Sequence, residues 1–268
     1  SFPFKQSCAM KTHIGDIDVH YEVTGSGPWV TLSHSLAAHL GMWEPQVSQL
    51  SQHFTVLRYD IRGHGQTQAT AGPYTLAQLA DDVHGLLLHL GVTRTHWIGL
   101  SLGGMIGQTL AIRHPEMLER VVIANSTGKG APNAAQVWAD RANMANTQGM
   151  EALVQPTLSR WFTDPFRAQH PDVMSTIGEM IRATPVQGYA GCCAAIAELD
   201  TLAGLKNLHM PSLVLVGDQD MATPPAMSEQ IHQHWPGSQY AVLKDAAHLS
   251  SVEQAKAFND AVMRFFNP

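Results

Sequence analysis

Gly99-Leu100-Ser101-Leu102-Gly103 decides the reading of this chain. Residues 95–98, Thr-His-Trp-Ile, read as a buried strand, and residues 104–114 read as a helix that stops before Pro115. A serine in G-x-S-x-G between a strand and a helix is the pattern of a nucleophile elbow. The turn forces the serine into a strained backbone conformation, and flanking glycines remove the Cβ atoms that would collide there. Ser101 then stands at a helix N-terminus, where main-chain N–H groups and the helix dipole favour a developing oxyanion. A plain small-residue turn could carry the same five letters, so the partners decide.

A hydroxyl needs an adjacent base, itself oriented by an acid. Leu213-Val214-Leu215-Val216-Gly217 reads as a buried strand with Asp218-Gln219-Asp220 at its carboxyl end. Tyr240-Ala241-Val242-Leu243 reads as another strand. Asp245-Ala246-Ala247-His248 follows it, ahead of a helical pattern over residues 252–266. Serine, acid and histidine in this chain order accompany such elbows, and loops beyond strand ends are where an open sheet builds its site. Asp218 lies tighter to its strand and Asp220 reaches further into the loop, so Asp220 is the preferred acid. The expected roles are nucleophile for Ser101, general base and then acid for His248, and imidazole holder for Asp220. Trp29-Val30-Thr31-Leu32 reads as the third strand. The main-chain N–H groups of Leu36, in the loop after it, and of Leu102 are the expected oxyanion donors. His34 in that loop reads as structural.

Composition narrows the class. The 268 residues suffice for one sizeable domain, and 44% hydrophobic with only 14% charged residues suits a compact enzyme. Formal net charge is −6 with no basic stripe, which excludes nucleic acid as an expected partner. No apolar run reaches membrane-spanning length, and the opening run to Met10 lacks the apolar core of a secretory signal. Cys8, Cys192 and Cys193 form no disulfide framework, so a reduced, cytoplasmic protein is expected, as monomer or homodimer. Cys192 and Cys193 read as packing residues of a helix. Despite 15 histidines there is no H-E-x-x-H and no paired C-x-x-C, so neither metal nor cofactor is expected.

Strand and helix patterns alternate through the first half, which predicts an α/β protein with a doubly wound, mostly parallel sheet. Residues 13–23 alternate as a hairpin does. Residues 74–90 carry helical spacing, and Val121-Val122-Ile123-Ala124 reads as a further strand. Asp60 and Arg62, beside Gly63-His64-Gly65, read as turn-fixing. Residues 126–206 hold helical segments only. The expected division is a core of 1–125 and 207–268 with a helical cap, 126–206, over the carboxyl edge of the sheet. Such a cap excludes water and shapes a pocket. Its arginines are Arg141, Arg160, Arg167 and Arg182, most of them expected to be solvated.

Over its full length the chain resembles the α/β-hydrolase superfamily, and more narrowly the 3-oxoadipate enol-lactonases. The narrower resemblance is carried by Leu32-Ser33-His34-Ser35-Leu36, by Asp60-Ile61-Arg62-Gly63-His64-Gly65, by the elbow running on to Gln108, by Arg160-Trp161-Phe162 and by residues 188–196. His34 departs from the Asn usual in those lactonases. The resemblance implies cleavage of an enol-lactone to 3-oxoadipate in aromatic catabolism, with a small-molecule ester or lactone as sole partner. The substrate carboxylate then needs a local donor, because a buried unpaired carboxylate is costly. Arg160 or Trp138 is the expected donor, with Trp161 and Tyr189 as further pocket residues. A broad carboxylesterase or a cofactor-free perhydrolase would use the same three residues. A dehalogenase or epoxide hydrolase would want Asp at the elbow, and a pure binding role would not need all three residues.

Overall fold

The structure is a computed structural model that describes residues 8–268. The reading of the opening run therefore falls largely outside the described residues. Among these, eight strands form one sheet: β1 (Cys8–Ile14), β2 (Ile17–Gly25), β3 (Trp29–Ser33), β4 (Thr55–Tyr59), β5 (Thr95–Leu100), β6 (Leu118–Ala124), β7 (Ser212–Gly217) and β8 (Gln239–Leu243). Their order is β1-β2-β4-β3-β5-β6-β7-β8. The β1–β2 hairpin and the β2–β4 pair are antiparallel, and every other pairing is parallel. Every residue of β5 and β7 is buried. Strands covered on both faces read as unbroken apolar runs, which is why these two are legible without alternation.

Helices α1 (Glu44–Leu50), α2 (Leu76–His89) and α3 (Leu102–Arg113) belong to the first half. The pattern over 74–90 is trimmed at its start because the Thr75 side chain caps α2 by accepting from the Gln78 N–H. Tyr74 instead donates its N–H to the Gly191 carbonyl at 3.1 Å. The strand-free stretch holds α4 (Ala134–Gln148), α5 (Glu151–Trp161), α6 (Asp164–Gln169), α7 (Pro171–Ala183), α8 (Val186–Ala197) and the short α9 (Leu202–Leu205), with an isolated bridge between Lys129 and Asp200. Here α4 packs on α8 and α5 on α7. After β7 come α10 (Pro225–His234), α11 (Ser250–Glu253) and α12 (Ala255–Phe266). The single helix expected over 252–266 is broken at Gln254 (φ −124°, ψ 56°), and Glu253 just before the break is buried.

Two sets of helices flank the sheet: α1 packs with α12, while α2, α3, α9 and α10 form a contiguous series. Helices α4 to α8, between β6 and β7, instead rest on the loops at strand ends. Their closest seat is α8 on the turn after β4, where a Cβ on Gly188 would lie 2.0 Å from the Gly63 carbonyl oxygen. Only glycine permits that approach. No described helix is long and apolar enough to cross a membrane.

Candidate active site

Ser101 occupies the turn between β5 and α3 with φ 57° and ψ −114°, a conformation rare for any residue but glycine. Its carbonyl accepts from the N–H groups of Gly104 and Met105 and from Ser126 Oγ, and its own N–H donates to the Ala124 carbonyl. These bonds hold the strain. A Cβ at Gly99 would lie 2.1 Å from the Gly103 carbonyl oxygen, and one at Gly103 would lie 1.9 Å from the Ser33 carbonyl oxygen. Both elbow glycines are therefore required by packing.

Asp220, in the loop after β7, is buried, and its Oδ2 accepts from His248 Nδ1 at 2.9 Å. The same oxygen accepts from Asn125 Nδ2 and Thr223 Oγ1, while Oδ1 takes the N–H groups of Ala222 and Thr223, each at 2.9 Å. Burial pushes the Asp220 carboxyl upward, but the His248 charge and these donors outweigh it and hold the group below the ordinary carboxylate range. Asp218 is exposed and among the described residues its carboxylate takes only the Ala246 N–H, at 3.2 Å. The main chain around His248 is anchored on both sides: Ala247 O accepts from Asn125 Nδ2, and Leu249 N–H donates to Trp161 O. Asn125 has φ 48° at the end of β6, and its Oδ1 accepts from Ser250 Oγ at 2.6 Å.

The loop after β3 is fixed by two buried histidines. His34 Nδ1 donates to the Ser35 carbonyl, and its Nε2 accepts the Ile61 N–H at 2.9 Å. His64 Nδ1 donates to the Arg62 carbonyl, and its Nε2 accepts the N–H of Ala37, itself at φ 66°. Burial pushes His34 down to about 3 and His64 to about 4, so both stay neutral acceptors near pH 7. The N–H groups of Leu36 and Leu102 find no acceptor among the described residues and remain free for a ligand oxygen. Asp60 takes the N–H groups of Leu40 and Gln66 and a bond from His20, while Arg62 is gripped by Asp16 and Asp82. Both serve the turn, as read from the sequence.

One cavity joins these parts. Ser101, Leu36 and His248 line it from the sheet side, and Trp138, Arg160, Trp161 and Tyr189 line it from α4, α5 and α8. Arg141 lines it too, with its guanidinium 4.5 Å from the centre of the Trp138 ring. The expectation that most arginines of this stretch are solvated fails: Arg141 and Arg160 reach the cavity, Arg167 is part-buried and Arg182 is exposed. Arg167 pairs with exposed Asp164, and Arg182 pairs with Glu151 and Glu179 on exposed positions. Arg141 and Arg160 have no carboxylate partner among the described residues, and no acidic residue lines the cavity. Burial, and then the like charge of Arg141, lowers Arg160 from its ordinary value. Cys192 and Cys193 are free and buried in α8, and burial pushes the Cys193 thiol up to about 12, which keeps it from acting as a nucleophile.

A strained serine at a strand–helix turn, with an acid–histidine pair on later loops of a mostly parallel sheet, is the build of an α/β hydrolase. Residues 28–255 match the family described as alpha/beta hydrolase fold, and the chain belongs to that family. It is 37% identical over 257 residues to 3-oxoadipate enol-lactonase 2 of Acinetobacter baylyi, covering 94% of this chain and 95% of the relative. Among solved structures it superimposes on the enol-lactonase from Burkholderia xenovorans LB400 with a TM-score of 0.93 at 40% identity, covering 97% of this chain and all of that one. A thermophilic esterase from Thermogutta terrifontis, with malate bound, gives a TM-score of 0.90 at 29% identity over 98% of each chain.

Proposed function

We propose that this chain is a serine hydrolase that opens a carboxylate-bearing enol-lactone, 3-oxoadipate enol-lactone, to 3-oxoadipate. The observation that carries the reading is the pair Arg141 and Arg160, two guanidiniums without carboxylate partners among the described residues, in the cavity that holds Ser101 and His248. Two cations facing a cavity with no acid call for an anionic ligand. Kinship with enol-lactonases supplies the lactone.

Ser101 Oγ attacks the lactone carbonyl carbon while His248 takes its proton, and Asp220 stabilises the resulting imidazolium. The N–H groups of Leu36 and Leu102 receive the oxyanion. Collapse breaks the ring C–O bond, His248 returns the proton to the enol oxygen, and the enol tautomerises to the ketone. The ring-opened chain stays attached to Ser101 until water, deprotonated by His248, releases the dicarboxylate. Arg141 and Arg160 hold the remote carboxylate, with Trp138, Trp161 and Tyr189 as walls. Residues 126–206 act as the cap over a core of 1–125 and 207–268. The acidic surface and buried free thiols support a cytoplasmic enzyme of aromatic-compound catabolism that acts on a small molecule without a bound cofactor.

Steady-state hydrolysis of freshly generated enol-lactone and of a short p-nitrophenyl ester tests this. Lactone turnover far above ester turnover, lost in Ser101→Ala and selectively weakened in Arg160→Ala, is expected. Good ester turnover with little on the lactone would move the function to carboxylesterase.

A further inference from the structure

One buried carboxylate ties the loop of the histidine to the wall of the pocket. Glu253 Oε1 accepts the Ala247 N–H at 3.1 Å, immediately before His248. The same side chain takes the Thr163 N–H, at 3.3 Å to Oε1, and the Thr163 hydroxyl at Oε2. Thr163 follows α5 and caps α6 by accepting the Phe166 N–H. On the far side of His248, the Leu249 N–H donates to the carbonyl of Trp161, the last residue of α5, at 3.0 Å. Glu253 is 8% exposed, and no Lys, Arg or His among the described residues pairs with it. Its acceptors are filled instead by two N–H groups and a hydroxyl. Helix α5 also carries Arg160 and Trp161 into the cavity.

We propose that Glu253 and Thr163 form a brace that makes the α5 wall and the His248 loop a single rigid unit, so that Glu253 is a positioning residue for the base. The proposal rests on the reading of Ser101 and His248 as nucleophile and base. A helix that grips the substrate and a loop that carries the base must keep a fixed separation, because a displacement of about 1 Å costs on the order of 100-fold in rate. Asn125 ties Ala247 to the end of β6, so towards α5 the Leu249 bond alone would leave the loop free to pivot about that contact. The carboxylate supplies a second point, on the other side of His248, and two points define the loop's orientation. Glu253→Gln turns one acceptor into a donor that faces N–H groups. Thr163→Val keeps the shape and removes the hydroxyl donor, whereas Thr163→Ser keeps it.

The experiment measures kcat and KM on the enol-lactone for wild type, Glu253→Gln, Thr163→Val and Thr163→Ser, with the concentration of active sites titrated by a fluorophosphonate, and turnover per mole of protein for Ser101→Ala, which has no hydroxyl to titrate. The expected result is a fall in kcat per titrated site of about 10-fold to 100-fold in Glu253→Gln and Thr163→Val. KM stays within about threefold, and Thr163→Ser restores kcat. If Glu253→Gln does not fold, the Thr163 pair carries the test alone. Unchanged kcat per titrated site in Thr163→Val, with only a lowered Tm, overturns the brace and leaves Glu253 a stabilising residue. Turnover surviving in Ser101→Ala would strike the underlying reading of the site, an outcome separate from either result on the brace.

Discussion

Asp220 is buried and held by five hydrogen bonds, from Asn125, Ala222, His248 and twice from Thr223. A carboxylate so restrained presents one oxygen to His248 in one direction, which is what an orienting acid must do. Asp220→Asn is expected to lower kcat by roughly 10⁴-fold, the loss typical when a triad aspartate becomes its amide, with an unchanged circular dichroism spectrum. A loss under tenfold would return attention to Asp218. Asn125→Ala removes a donor from Asp220 and from the Ala247 carbonyl at once. It should cost about 1–3 kcal/mol of stability, read by urea titration. The buried histidines make a pH prediction. In the unfolded chain each binds a proton below about 6.5, whereas folded His34 and His64 bind one only near 3 and 4. Between those limits the unfolded state carries more protons, so stability falls as pH drops from 6.5 towards 4. Each histidine contributes a slope of about 1.4 kcal/mol per pH unit. Urea titrations at pH 7, 5.5 and 4.5 check this, and a flat profile would mean that neither is neutral in the fold.

At the scale of elements, glycine substitutions separate seats from spacers. Gly188 in α8 lies against the turn at Gly63, and an added methyl would meet that backbone at 2.0 Å. Gly188→Ala must push α8 off the turn, at about 1–3 kcal/mol, and move Tyr189 with it. A lowered urea midpoint and a raised KM for the lactone are expected together. Gly178 in the middle of α7 is the contrast, because its added methyl would meet Val154 Cγ1 at an ordinary 3.5 Å. Gly178→Ala is expected to be neutral or to stabilise by up to about 1 kcal/mol, through the backbone entropy removed from the unfolded chain. A destabilised Gly178→Ala would show that α5 and α7 pack more tightly than these distances imply.

For the whole molecule, an overall charge of −6 surrounds a cavity that carries two arginines and no acid. An anionic substrate is repelled by the surface and attracted by the pocket, and salt screens both over about 10 Å at 0.1 M. Arg141→Gln combined with Arg160→Gln should lower kcat/KM for the carboxylate-bearing lactone by about 10-fold to 100-fold. The neutral p-nitrophenyl ester should change little. Equal losses on both substrates would mean that the arginines shape the cavity rather than read charge.

The strand–turn–helix at Ser101, the buried strand-like runs along the chain and the stretch without strands are legible in the sequence because each is local. Chain order and buried runs also put an acid and a histidine on loops at one edge of the sheet. Choosing between Asp218 and Asp220 needs the tertiary structure: the two differ by one turn of loop, and only folding shows that one faces solvent and the other His248. Arg141 stays hidden because the side of α4 that meets the cavity depends on how α4 packs on α8. Asn125 and Glu253 stay hidden for another reason. Their bonds to Asp220 and Thr163 span 95 and 90 residues. No local pattern encodes which distant backbone groups a buried side chain will meet.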